Sequence, residues 1–357
     1  MESKIVSIGG GSGSSVALRG LKQHTSALTA IVTMFDSGGS SGKLREEFGY
    51  PPVGDLRQCL VALSEEEEST EALRTLVEFR FLQDSSLNGH SMGNLLLAAL
   101  TTLRNDVEAA IEEMSRILRI QGHVVPVTLE RADLCAELED GSIVREESAI
   151  DLRGKQLPRI RRIFLDPPVV ANPRAIQAIL EADAIVLGPG DLYTSIIPNL
   201  LARGIPEALQ ETKATRIYIC NLMTKLGETD GFKASDFVRE IVLYMGDVQL
   251  DWTVANTRPI PAEIQQSYVA EAAYPVEPDA EAVQKYGAKF FGGPLANNQQ
   301  PLRHDSSRLA EAILSVIGCG RHVNGNGNGL ELDALAAHNY IATSVRPAPA
   351  IKETRVS

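Results

Sequence analysis

Aromatic side chains, closely spaced cysteines and long apolar runs are all scarce in this sequence of 357 residues. Only 5% of the residues are aromatic, which argues against a platform that stacks single-stranded bases. The four cysteines are far apart, at Cys59, Cys135, Cys220 and Cys319, and form no C-x-x-C pair. A zinc ribbon, a disulfide scaffold and a thioredoxin-type site are therefore poorly supported.

Signals for membranes and secretion are also missing. No stretch approaches the roughly 18–20 consecutive apolar residues of a membrane-spanning helix. Met1–Lys4 leads directly into the apolar run Ile5–Ile8, without the basic and apolar regions of a secretory signal. We therefore expect a cytoplasmic protein with no membrane insertion.

Basic residues are the minority among the charged side chains. Lys and Arg number 34 against 46 Asp and Glu, which gives a formal net charge of −12. This balance argues against a broad nucleic-acid-binding surface. An anionic ligand would have to be held by local groups, because the overall field of the protein repels it.

The hydrophobic pattern alternates between strands and helices. A strand at Ile5–Ile8, a helix at Ser14–Gln23 and a strand at Leu28–Met34 form an opening βαβ unit. The pattern predicts an α/β fold with a Rossmann-like, mostly parallel sheet and helices on both faces. Further strands are predicted at His123–Thr128, Arg159–Leu165, Ala184–Leu187, Arg216–Leu222 and Leu250–Asn256, and further helices at Pro173–Ala182, Thr194–Leu209, Ala234–Met245 and Arg308–Ile317.

We predict one domain over residues 1–320 with two inserts. The first, at about 55–120, is helical. The second, at about 123–165, is β-rich and contains a small hairpin around Asp140-Gly141. Asn324–Gly329 is typical of a flexible linker, so residues 321–357 are predicted to be a linker and a weakly ordered tail.

A first glycine-rich turn, Gly9–Ser15, lies between the first strand and the first helix. Glycines allow a close backbone approach, and the amides at a helix start bind phosphate. The strict G-x-G-x-x-G pattern fails, because its last position is Ser14 or Val16. The candidate ligand contacts here are Gly10, Gly11, Ser12 and Gly13, with a tight turn that binds nothing as the alternative.

A second such turn follows the second strand, and its candidate residues are Asp36, Ser37, Gly38, Gly39, Ser40 and Ser41. It differs from a Walker loop, since Leu44 replaces the metal-binding hydroxyl residue. Its small residues suit an anion, and Asp36 suits a ribose hydroxyl or a metal-bound water. A flexible linker is the alternative.

The predicted helical insert adds further polar candidates. Asp55 is predicted to cap a helix that carries Arg57, which could contact phosphate or simply be a surface cation. Gly89–Gly93 matches the G-x-S-x-G elbow of α/β-hydrolases, but no buried strand precedes it, so a serine hydrolase is disfavoured. His90 and Asn94 are instead candidate ligand contacts, with a structural His90 as the alternative.

Two more glycine turns follow later strands. The candidates in the third are Gly188, Gly190, Asp191, Tyr193 and Thr194, and those in the fourth are Asn221 and Thr229. Because the carboxyl ends of parallel strands meet at one edge of a sheet, we expect all four turns to form one rim. The rim predicts a phosphate-bearing small molecule as ligand.

Six segments together resemble one family, the gluconeogenesis-factor branch of the superfamily that contains 2-phospho-L-lactate transferase. They are GGGSGSS at Gly9–Ser15, DSGGSSG at Asp36–Gly42, PPVGDLRQCL at Pro51–Leu60, GHSMGNLLLAAL at Gly89–Leu100, ADAIVLGPGDLYTSIIPNLL at Ala182–Leu201 and YICNLMTKLGETDGFKASDFV at Tyr218–Val238. The resemblance extends from about Lys4 to Ile317.

The resemblance implies a Rossmann-like domain that binds a UDP-sugar such as UDP-N-acetylglucosamine. It also implies a link to gluconeogenic growth, cell shape and peptidoglycan supply. The branch's ligand-critical tyrosine and arginine correspond to Tyr268 and Arg303, which could stack on uracil and pair with a diphosphate. At Ser37 the branch usually has a second acid, so its replacement argues against a metal held by two neighbouring carboxylates.

Two functional hypotheses follow. The first is a regulatory protein that binds a UDP-sugar and needs no firm cofactor, with a homo-oligomer expected and protein partners unknown. The second is a phosphotransferase acting on a nucleoside diphosphate-linked substrate, with Mg²⁺ held by Asp36, Asp55 or Asp191 and phosphate by Arg57 or Lys225. An NAD-dependent oxidoreductase is weaker, because the dinucleotide pattern is broken.

Overall fold

The computed structural model describes residues 2–82, 84–154, 158–246 and 248–324. The strands are β1 (Ile5–Gly9), β2 (Leu28–Val32), β3 (His123–Pro126), β4 (Asp133–Leu138), β5 (Ile143–Arg145), β6 (Ile160–Asp166), β7 (Ala184–Leu187), β8 (Thr215–Ile219), β9 (Trp252–Asn256) and β10 (Lys289–Gly293). The helices are α1 (Gly11–Leu21), α2 (Gly39–Phe48), α3 (Gly54–Leu63), α4 (Glu68–Glu78), α5 (Met92–Arg104), α6 (Val107–Ile117), α7 (Glu147–Asp151), α8 (Pro173–Glu181), a π-turn (Leu192–Ile196), α9 (Ile197–Leu200), α10 (Ile205–Glu211), α11 (Ala234–Tyr244), α12 (Ala262–Val269), α13 (Ala280–Lys285) and α14 (Ser306–Asn324).

Seven parallel strands form the main sheet, in the order β10-β9-β8-β7-β1-β2-β3. The central strand β1 is buried along its whole length, including the polar Ser7, as its mainly apolar sequence predicts. Ile5 pairs with Leu28 on one side and with Ala184 on the other. The predicted Rossmann-like α/β class is confirmed, and the strand order reverses between β1 and β7, where open α/β sheets bind their ligands.

Helix α1 packs closely against α3 and α14. A side chain at Gly20 would place its Cβ 2.0 Å from the carbonyl oxygen of Ser306, so α1 and α14 meet backbone to backbone. This contact lies at the C-terminal end of α1, away from the first glycine turn.

The predicted helical insert is confirmed as α3–α6, which lie between β2 and β3 in the chain. Helix α2, which follows the second glycine turn, was not predicted; it ends at Gly49 in the left-handed region at φ 73°. Its apolar face is small, with Leu44 as its buried large side chain, so the helical periodicity is weak in the sequence.

The predicted hairpin is present, and β6 extends it to a three-stranded antiparallel sheet in the order β5-β4-β6. The strand His123–Pro126 lies instead at the edge of the parallel sheet, paired with β2, so the antiparallel sheet covers residues 133–166. We call residues 133–154 and 158–166 the β insert. Strand β10 and helices α12 and α13 were not predicted from the sequence.

The predicted tail cannot be compared in full, because residues 325–357 lie outside the described part of the chain. Among the described residues, no helix combines the length and apolar character needed to cross a bilayer.

Candidate functional site

A cavity of about 580 Å³ lies at the carboxyl edge of the parallel sheet. It brings together many of the predicted ligand contacts: Gly10, Gly11, Ser12, Gly13, Gly190, Asp191, Asn221, Tyr268 and Arg303. The first, third and fourth glycine turns thus share one wall, after the neighbouring strands β1, β7 and β8. The position matches the reversal of strand order, where the fold leaves a crevice for ligands.

The glycines of the first turn are required by close backbone contacts. A Cβ at Gly13 would lie 2.4 Å from the carbonyl oxygen of Pro189, next to Gly188 of the third turn. Gly11 has φ +66°, which favours glycine. The start of α1 lines one side of the cavity, where the N-terminus of a helix suits an anion, and its Gly11 amide is hydrogen-bonded to Asp55.

The second glycine turn lies outside the cavity wall. The Ser40 hydroxyl is hydrogen-bonded to His90 Nδ1 at 3.1 Å, and Asn94 Nδ2 donates to Ser41 at 3.4 Å. Arg57 Nε donates to the Oδ1 of Asn94 at 3.0 Å. These five predicted ligand contacts thus form hydrogen bonds with one another that link α2, α3 and the N-terminal end of α5.

Three acidic side chains converge between the second turn and the cavity. A Cβ on Gly10 would lie 2.3 Å from Asp55 Oδ2, and one on Gly54 would lie 3.0 Å from Asp36 Oδ2, so Asp55 reaches the first turn and Asp36 reaches the start of α3. Burial raises the pKa of Asp36, that of Asp55 to about 7 and that of Glu147 to about 8, each reinforced by its acidic neighbours.

Glu147 was missed by the sequence analysis, which looked for a second acid at Ser37. The Ser37 amide lies 3.4 Å from a Glu147 carboxylate oxygen, and the Ser37 hydroxyl contacts Ser148 at 3.0 Å. Gly38 donates its amide to Asp36 at 2.8 Å, and Gly39 begins α2. The second carboxylate beside Asp36 thus comes from the β insert, about a hundred residues away in sequence.

Lys225 is enclosed by carboxylates at the edge of the cavity. Its Nζ lies 2.7 Å from Asp191, 3.2 Å from the buried Glu228 and also in contact with Asp151. Burial alone would lower the pKa of Lys225, but these acids outweigh it and raise the pKa. Burial raises the pKa of Glu228 to about 7, and Lys225 opposes that rise.

The arrangement of these three acids has the size of a cation site, because their oxygens lie within 4.8 Å of one another. The Lys225 ammonium already supplies the positive charge there, so the group does not suit a resident metal ion. The phosphotransferase hypothesis offered Lys225 as a phosphate contact. Because its ammonium group is already paired with these carboxylates, Lys225 is not free for that role.

Three other predicted ligand contacts lie inside the protein, away from the cavity wall. Tyr193 and Thr194 are buried in the π-turn, and the Tyr193 hydroxyl is hydrogen-bonded to Glu240. Thr229 accepts a hydrogen bond from the Lys225 amide at 2.9 Å. The extra residue of a π-turn changes the direction of the side chains, which the sequence pattern does not reveal.

Tyr268 and Arg303 also line the cavity, although they are far from the first turn in sequence. The Tyr268 hydroxyl accepts a hydrogen bond of 2.8 Å from the Leu302 amide, and Tyr268 packs on a small apolar cluster that includes Leu302. Arg303 is exposed, and its guanidinium lies 3.3 Å from the Leu302 carbonyl oxygen. Tyr268 therefore fixes the segment that presents Arg303.

Two further cavity residues were missed by the sequence analysis, Arg153 and His304. Burial lowers the pKa of His304 to about 4, opposed by a hydrogen bond from the ring to the Cys220 carbonyl. Neither residue stands in a glycine turn, and Arg153 belongs to the β insert. Arg153 is therefore recognised as a cavity residue only in the three-dimensional structure.

Comparison with known proteins agrees with the fold. Residues 5–296 match the family model described as 2-phospho-L-lactate transferase CofD. The chain belongs to the CofD family. Within it, the chain is 44% identical over 312 residues to the gluconeogenesis factor of Halalkalibacterium halodurans, covering 87% of this chain and 95% of that protein. It is 42% identical over 316 residues to the gluconeogenesis factor of Bacillus subtilis, covering 88% and 98%.

A solved CofD-family structure, that of a protein from Bacillus halodurans, superimposes with a TM-score of 0.84 at 43% identity. It covers 88% of this chain and 100% of the solved chain. The predicted resemblance to the gluconeogenesis-factor branch is therefore confirmed.

Proposed function

We propose that this protein is a cytoplasmic regulator that binds a UDP-sugar resembling UDP-N-acetylglucosamine. The main support is the cavity of about 580 Å³ in which the glycine turn before α1, Tyr268 and Arg303 meet. Backbone amides at the start of α1 suit a diphosphate, and an arginine adds charge-assisted hydrogen bonds. A cavity of this size is in the range that encloses small ligands.

The biological setting of the proposal comes from the relatives. Two of them carry the name gluconeogenesis factor. We propose a role in gluconeogenic growth, cell shape and peptidoglycan supply, in which the liganded and empty forms differ in stability or surface. A homo-oligomer remains our expectation.

Binding can be tested by thermal shift and calorimetry with UDP-N-acetylglucosamine, using UMP and GDP as comparison ligands. A ligand at 100 times its Kd stabilises the fold by about 2.7 kcal/mol. Arg303→Ala should weaken binding roughly 10-fold or more, since a hydrogen bond to a charged group contributes about 1.5–3 kcal/mol. Arg116→Ala, an exposed change on α6, is the matched control.

The result that would count against the proposal is a wild-type protein that shows no shift at millimolar UDP-N-acetylglucosamine. An Arg303→Ala variant with wild-type affinity would remove Arg303 from the site.

The alternative function is a phosphotransferase acting on a nucleoside diphosphate-linked substrate. It is favoured by the family model's name and by the three acidic groups Asp36, Asp55 and Glu147 beside the cavity. Incubation with Mg²⁺ and nucleotide-sugars, followed by phosphorus NMR, tests it. Turnover would support this alternative, whereas tight binding without any change of the ligand would support the regulator.

A further inference from the structure

Arg153 is held at the cavity by the β insert. It follows α7 directly, is 6% exposed and lines the cavity. Its Nε donates to the Gly227 carbonyl oxygen at 2.5 Å. A Cβ on Gly227 would lie 2.4 Å from the Arg153 carbonyl oxygen, so the backbones of the β insert and the fourth turn are in close contact. The position of Arg153 is thereby fixed from two sides.

One nitrogen of the Arg153 guanidinium lacks a hydrogen-bond partner among the described residues. This nitrogen, Nη1, is buried. Arginine remains charged in proteins, and a buried charged donor without a partner is costly. The neighbouring acids are engaged elsewhere, since Glu228 is paired with Lys225 and Asp230 accepts the Gly227 amide at 2.7 Å.

The charged residues that line the cavity also favour Arg153 as a contact for an anionic ligand. The cavity-lining acids are Asp151, Asp191 and Glu271, and Lys225 is enclosed by carboxylates. Among the residues described as lining the cavity, only Arg153 and Arg303 remain as cations for an anionic ligand. A diphosphate carries more negative charge than one exposed arginine can balance.

We propose that Arg153 binds a phosphate oxygen of the ligand, so that the β insert completes a phosphate site with the amides of α1 and with Arg303. This inference rests on the proposed function, because it concerns the same cavity. It assigns the ligand's anionic group to the region between the first turn and Arg153, and it gives the β insert a direct part in ligand recognition.

The test compares ligands with and without phosphate on the full-length protein. Binding of UDP-N-acetylglucosamine is measured by calorimetry and binding of uridine by NMR titration, for the wild type and Arg153→Gln. We expect Arg153→Gln to weaken UDP-N-acetylglucosamine roughly 10-fold or more and to leave uridine unchanged. Arg159→Gln, an exposed change beside the β insert's last strand, should affect neither ligand.

A second variant protects the test against misfolding. Arg153→Lys keeps the charge but loses the planar guanidinium, in which Nε can contact Gly227 while Nη1 binds an anion. We expect Arg153→Lys to lower the affinity for UDP-N-acetylglucosamine, relative to that for uridine, by a smaller factor than Arg153→Gln does. Circular dichroism and urea unfolding check that each variant is folded.

Two outcomes would overturn the inference, and a third separates it from the proposed function. The first is wild-type affinity for UDP-N-acetylglucosamine in both Arg153 variants. The second is an equal loss for UDP-N-acetylglucosamine and uridine, which would show a structural role alone.

The third outcome separates this inference from the proposed function. If the wild type fails to bind UDP-N-acetylglucosamine, the proposed function is lost, and inorganic pyrophosphate becomes the probe. Pyrophosphate binding that Arg153→Gln abolishes would still support a phosphate contact, whereas absence of pyrophosphate binding to the wild type would overturn it.

Discussion

His304 should make the protein less stable in mild acid. The imidazole is buried in the cavity wall, and burial lowers its pKa from the ordinary 6.5 to about 4. In the unfolded chain the ring takes up a proton near pH 6.5, whereas in the folded protein it stays neutral. The unfolded state therefore binds more protons between these two values, and stability falls as the pH drops through that window.

The size of the effect follows from the shift. A difference of about 2.5 pKa units corresponds to roughly 3 kcal/mol when complete, and to about 2 kcal/mol at about pH 5. Above about pH 7 the contribution is constant, because the ring is neutral in both states.

Urea unfolding of the wild type and of His304→Asn at about pH 7.5 and about pH 5 measures this contribution. The asparagine amide can take over the hydrogen bond to the Cys220 carbonyl, but it cannot be protonated. The wild type should lose about 2 kcal/mol more than His304→Asn on acidification. His24→Asn, at an exposed position, controls for the substitution itself. Equal losses in the wild type and His304→Asn would refute the reasoning.

Three further changes address the cavity wall. Gly13→Ala should destabilise the fold by roughly 1–3 kcal/mol, because its Cβ meets the Pro189 carbonyl oxygen at 2.4 Å, and an unchanged Tm would contradict this close contact. Tyr268→Phe keeps the ring but removes the acceptor for the Leu302 amide, so calorimetry should show a roughly 5-fold weaker UDP-sugar, whereas pure stacking predicts no change. Lys225→Met leaves three carboxylates without their cation and should cost about 3–5 kcal/mol in urea unfolding, and a neutral result would show that the acids are protonated or solvated instead.

The fold was predictable because its signals are local. Apolar runs such as Ile5–Ile8 predict buried parallel strands, and glycines after them predict close backbone contacts. The contact between Gly13 and Pro189 shows why glycine is needed there. The weakly amphipathic α2 and the edge strand β10 were overlooked, since neither has a continuous apolar run.

The site was predictable only in part, because several of its groups are assembled from distant segments. A glycine turn indicates that a ligand can approach, but it does not tell whether a nearby side chain faces the cavity or the core. The Tyr193 side chain faces the core, and the Ser40 hydroxyl is hydrogen-bonded to His90. Arg153 and Glu147 arrive from the β insert, which no local pattern connects with the glycine turns.

In the chain, the β insert lies between β3 and α8. None of its strands joins the parallel sheet, whose central strands pair directly with one another. The cavity therefore combines turns of the parallel sheet with Arg153 from a segment that adds no strand to that sheet. If Arg153 binds the ligand as proposed, exchanging the β insert between family members should change ligand affinity while leaving the seven-stranded sheet unchanged.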